Sequence, residues 1–101
     1  MSAYTIRMDF KRAKEKAEDL EEVSQELKKL ASGPYDASLE QLSRHWKGEN
    51  ASSYIKKGGD LREQMLKTAQ ELGNTAQGIR QIARESYEAE MEAWRIAHDR
   101  D

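Results

Sequence analysis

The sequence predicts an all-α protein: an antiparallel helical hairpin that dimerises into an elongated four-helix bundle. Three observations predict it. Apolar residues recur at spacings of three and four along two long stretches, the helical period rather than the strand period. Pro34, the one proline, stands beside Gly33 and separates those stretches. Hydrophobic residues make up 37% of the 101-residue chain against 36% charged, too little for a private core, so a partner's surface is needed. The reading is a single helical-hairpin domain over residues 1–101. Its first arm covers about 6–31, a turn with a short helix about 32–49, and the second arm about 50–95.

The first arm carries Phe10, Ala13, Ala17, Leu20, Val23, Leu27 and Leu30, a narrow stripe on an otherwise polar helix. Lys11 with Glu15 and Lys14 with Glu18 stand four apart, the spacing that allows pairing across its wet face. Two features stop the helix near Ala31. Gly33 is expected in the left-handed conformation that closes a last turn, and Pro34 cannot continue the hydrogen-bond ladder. In the turn, Leu39, Leu42 and Trp46 share one side of a short helix, with Ser38 and Gln41 spaced as a capping box. Gly48 closes it, and Asn50 or Ser52 is placed to cap the second arm.

The second arm alternates spacings of four and three through Tyr54, Gly58, Leu61, Met65, Thr68, Leu72, Thr75, Ile79, Ile82 and Ser86, a heptad seam flanked by Ala51, Ala69, Ala76 and Ala83. Gly58, Gly59, Gly73 and Gly78 are anomalous, since a glycine inside a helix costs up to about 1 kcal/mol relative to alanine. They are read as places where a neighbouring helix comes close, with a hinge at Gly58 and Gly59 as the alternative. Hairpin and dimer contacts are therefore expected from Phe10, Ala13, Ala17, Leu20 and Leu27 on one arm and Leu61, Met65, Leu72, Ile79 and Ile82 on the other.

The residues needed for catalysis do not assemble into any pattern. The two histidines, His45 and His98, follow Leu42 and Arg95 by three, so neither belongs to the Glu-x-x-His pairs of a di-iron bundle. "KKGGD" is only a loose likeness of a phosphate loop, and "EKAEDLEE" lacks the ligand spacing and central glycine of a calcium loop. A non-enzymatic protein without cofactor or metal is expected. The absence of cysteine removes disulfides and thiolate metal sites. Seventeen basic against nineteen acidic residues leave a charge of −2, which does not favour a nucleic-acid backbone. The amino end has no apolar run of the kind a cleaved signal requires, and no window approaches the roughly 20 apolar residues of a membrane span. Stable membrane insertion is not expected either, because the seam is rich in Thr, Gly and Ala.

Two heptad-patterned arms, about a hundred residues, no cysteine and Trp46-Lys47-Gly48 near the midpoint together resemble the WXG-type (ESAT-6-like) family of small antigens exported by type VII secretion systems. The likeness covers roughly residues 5–86, and its one literal motif is that triplet. It implies a hairpin that pairs with itself or a sibling, is recognised folded by the export ATPase, and leaves the cytoplasm without a cleaved signal for the medium or cell surface. In that family the Trp-x-Gly turn belongs to the export signal, a role that falls here on Trp46 and Gly48. The family's second element, Tyr-x-x-x-Asp/Glu after the second arm, is degenerate: four residues after Tyr87 stands Met91. Tyr87 and Met91, with Trp94 close by, read instead as an apolar patch, either for docking a partner or for packing at the end of the bundle.

Three functions fit these residues. The first is a secreted substrate or co-substrate of a type VII machine. The second is a small carrier that binds the helical amino-terminal domain of a larger exported toxin and lends it the Trp-x-Gly feature. The third is a cytosolic coiled-coil adaptor with no part in export.

Overall fold

The computed structural model describes residues 2–99; residues 1, 100 and 101 of the single-domain reading lie outside them. The architecture is an all-α helical hairpin, with α1 at Ala3–Ser32, α2 at Pro34–His45 and α3 at Glu49–His98, and no strand among the described residues. Each arm is longer than its apolar stripe. Ser2 caps α1: its hydroxyl accepts the Thr5 N–H at 3.1 Å and its carbonyl accepts the Ile6 N–H at 3.1 Å. That "S-A-Y-T" signal precedes the first stripe residue, so the arm begins at Ala3 rather than near residue 6.

The first interruption differs in kind from the one expected, and the second does not. Gly33 is not left-handed: its φ of −116° and ψ of −97° break the helix, while its N–H still donates to Lys29 and its carbonyl still accepts from Ala37. Pro34 opens α2 in the first turn, where its missing N–H is no loss. Ser38 is consequently inside α2 rather than a cap, and no side chain caps that helix at its start. The left-handed residue is Gly48, at φ +113°, and its carbonyl accepts the Ser52 N–H that opens α3. Asn50 and Ser52 lie within α3, not before it. The helix also runs unbroken through Gly58 and Gly59.

Contacts divide the chain into two units, Glu22–Leu72 and the combination of Met1–Glu21 with Gly73–Asp101. In the first, the Ser24 hydroxyl donates to the Ala69 carbonyl at 2.6 Å and the Arg62 Nε to the Ala31 carbonyl at 3.1 Å. Rising positions on α1 meet falling positions on α3, which is antiparallel pairing. Ser24, Ala31, Ala51 and Ala69 are buried there. In the second unit, Phe10 stacks on Tyr87 with ring centroids 4.6 Å apart and 21° between planes, and Arg80 pairs with Glu21, again antiparallel. Ile6, Ala17 and Ala76 are buried in it.

The packed stripe is therefore made largely of small side chains, and it is turned around each helix from the stripe that the bulky residues draw. On α1 it takes in Ser24 and Ala31, whereas Val23 and Leu30 are exposed. On α3 it runs through Ala51, Ala69 and Ala76, read from the sequence as flanks, whereas Tyr54, Leu61 and Ile82 are exposed. Leu61 and Ile82, expected among the seam residues, are 54% and 66% exposed in the single chain. Phe10, Ala13, Leu20, Leu27, Met65, Leu72 and Ile79 are half-buried, and Ala17 is fully buried. The physical reason is distance. Alanine and serine let two helix backbones come near enough for a hydroxyl to reach a carbonyl across the interface, and bulkier residues are turned to the sides.

Candidate docking site at the Trp46 bend

The bend is built from the backbone outward. Trp46 ends α2 in an extended conformation, φ −119° and ψ 120°, with its N–H donating to the Leu42 carbonyl. Lys47 Nζ reaches back to the Ser43 carbonyl at 3.0 Å, satisfying one of the acceptors that the helix end leaves open. Gly48 then reverses the chain at a φ that side chains rarely adopt. The indole reaches α3. It lies against Tyr54 in the opening turns of α3, centroids 5.5 Å apart and planes tilted by 52°, a favourable aromatic geometry. It remains 40% exposed, so one ring shapes the bend and still presents apolar surface.

Behind the indole, α2 lies on α3. The Tyr35 hydroxyl donates to the Gly58 carbonyl at 2.8 Å. Leu39 sits against Gly58 so closely that a Cβ there would stand 2.5 Å from Leu39 Cδ2. Gly58 is thus a contact point of the kind expected, though with the short helix; a Cβ on Gly59 or Gly78 would meet nothing within 4 Å. Arg62 Nε is shared between the Ala31 carbonyl and Asp36 Oδ1, the latter at 3.2 Å. An apolar hollow of about 370 Å³ remains between the two helices, lined chiefly by Tyr35, Leu39, Leu42, Tyr54 and Leu61.

The tail residues are partly engaged within the chain. Tyr87 is half-buried, its ring covered by Phe10, and the Lys14 ammonium lies 4.9 Å from the Phe10 centroid. Met91 and Trp94 are also half-buried. Trp94 stacks on His98 at 4.1 Å, and His98 Nδ1 is 2.8 Å from the Trp94 carbonyl. Ile96 is the large hydrophobic residue most exposed in this segment, at 53%. Ser24, Tyr35 and Arg62 carry no mark in the apolar pattern. Ser24 was legible in principle, because it lies four after Leu20 and three before Leu27, but a polar residue is not counted into an apolar stripe.

Among the described residues no cluster of His, Cys, Asp or Glu is placed to hold a metal ion, and no helix is long and apolar enough to cross a membrane. The fold and the bend define a helical hairpin with an aromatic residue displayed between its second and third helices. No family model matches this chain, and no curated protein or solved structure is significantly similar to it.

Proposed function

We propose that this protein is a non-enzymatic WXG-type protein, exported as a folded dimer by a type VII secretion system and acting as a secreted substrate or co-substrate. The observation that carries the reading is the half-exposed indole of Trp46, held at a bend whose shape depends on the positive φ of Gly48. An aromatic ring fixed by the backbone and open on one face is a low-entropy contact for a recognising protein. The dimer is supported by the apolar surface that the single chain leaves wet. Its buried residues are mostly alanines, while Val23, Leu30, Tyr54, Leu61, Ile82 and Ile96 are each about half exposed or more. Either a second copy or a sibling hairpin would cover them.

Export from a bacterium with an active type VII machine tests this reading. Trp46→Ala should remove the protein from the medium while the purified variant keeps its helicity and oligomeric state. Undiminished extracellular levels would take the export role from Trp46, and a parent protein that never reaches the medium would leave the cytosolic adaptor standing. One observation favours the carrier reading as the second choice. The tyrosine that stands where the family's tail motif would begin has Met91 in place of an acid, and its ring is stacked on Phe10. In that case the partner toxin supplies the tail signal, and export of this chain stops when the partner is deleted.

A further inference from the structure

We propose that α2 is a releasable strap: docked, it lies on the opening turns of α3, and released, it pivots at Gly33 and Gly48 and opens the part-exposed apolar hollow that it lines with Tyr54 and Leu61. The proposal does not depend on export. It rests on how little fastens the helix. None of the twelve residues of α2 is buried, in contrast to α1 and α3, which each hold buried positions. Its attachments to α3 are few and near one another. They are the Tyr35 hydroxyl on the Gly58 carbonyl, the Leu39 side chain in the notch that Gly58 leaves, and the partly exposed Arg62 to Asp36 pair. At its far end the Trp46 ring rests on Tyr54.

Both ends of the strap are built to turn. Gly33 departs from helical ψ, and Pro34 after it cannot donate a hydrogen bond back into α1. Gly48 occupies a conformation that glycine enters and leaves at low cost. The half-open hollow of about 370 Å³ leaves part of the space between α2 and α3 unfilled beside the seat of Leu39. A segment with no buried residue, a few fastenings and two backbone breaks belongs to the low-stability end of a fold and opens without the rest unfolding. When it lifts, Leu39 leaves its seat on Gly58, the hollow that Leu39 and Leu42 line with Tyr54 and Leu61 opens, and the indole of Trp46 loses its aromatic neighbour.

Hydrogen exchange on the full-length protein, read by mass spectrometry, tests the strap. Amides of α2 should exchange at least about tenfold faster than those of α1 and α3 in the same unit. The double variant Tyr35→Phe with Leu39→Ala should accelerate α2 by a further factor of about five and leave α1 and α3 unchanged. Gln41→Ala, on an exposed position of α2, should not accelerate it. In a Trp94→Phe background, Trp46 emission should shift to the red in the double variant. Equal protection of α2 and α3 in the parent protein would overturn the proposal. So would a double variant in which α2 exchange changes less than about twofold, or one in which α1 and α3 open together with α2.

Discussion

At the scale of single residues, the contacts that join the helices are few and specific. Ser24 and Ala69 mark a close approach of two backbones, where a hydroxyl donates across 2.6 Å to a main-chain carbonyl and both residues are almost wholly buried. Space is absent there, so Ala69→Leu should destabilise by about 1–3 kcal/mol through overpacking, measured by urea unfolding of helicity. The same measurement on Phe10 and Tyr87 reads a different interaction. Their rings stack at 4.6 Å, and a double-mutant cycle to alanine should return a coupling of about 0.5–1.5 kcal/mol. A coupling near zero would mean that the rings merely share a neighbourhood. By contrast, the Arg44 and Glu40 pair is largely exposed on both sides, and its contribution is small.

At the scale of elements, the glycines divide by surroundings rather than by position in a pattern. Gly58 and Gly59 are adjacent and look alike in the sequence, but Gly58 receives Leu39 whereas Gly59 faces open space. Gly59→Ala should therefore stabilise the protein by about 0.5–1 kcal/mol, the ordinary gain from replacing glycine within a helix. Gly48→Ala should go the other way by about 1–3 kcal/mol, since a φ of +113° is strained for any residue with a Cβ. Thermal and urea unfolding of the two variants side by side would check both signs. Of the two glycines expected to end helices, Gly48 takes the left-handed conformation and Gly33 does not. Gly33 beside Pro34 has the composition of a left-handed stop, but the proline continues into a new helix and the chain needs only a break there. The sharper reversal falls at Gly48, where an extended Trp46 must be turned into the first turn of α3.

At the scale of the whole molecule, the question is what covers the apolar residues that the hairpin leaves outside. Tyr54, Leu61, Ile82 and Ile96 recur on α3 at multiples of seven, the period that keeps side chains on one stripe of a supercoiled helix. On that ground the protein should run at twice the mass of the chain in light scattering, or do so once its sibling is added, and its melting temperature should rise with concentration. Ile82→Ala distinguishes the cases. In a lone chain an isoleucine 66% exposed is worth less than about 0.5 kcal/mol, whereas within a dimer interface its removal weakens association and lowers the melting temperature in a concentration-dependent way. A monomer at high concentration whose melting temperature ignores both the concentration and Ile82 would remove the dimer from the proposed function.

The helical class, the two arms and the position of the bend were legible in the sequence because periodicity and Gly-Pro punctuation are local properties of the chain. The side of each helix that faces the other was decided only by tertiary packing. A stripe drawn through the largest side chains passes Val23, Leu30, Leu61 and Ile82, but two backbones that approach closely select Ser24, Ala31, Ala69 and Ala76 instead. Hydrophobicity marks residues that gain from leaving water without saying which surface they leave it for. The exposure of Trp46, its contact with Tyr54 and the seat of Leu39 on Gly58 depend on where α2 comes to rest, and that is set by the shape of α3 rather than by any spacing along the chain.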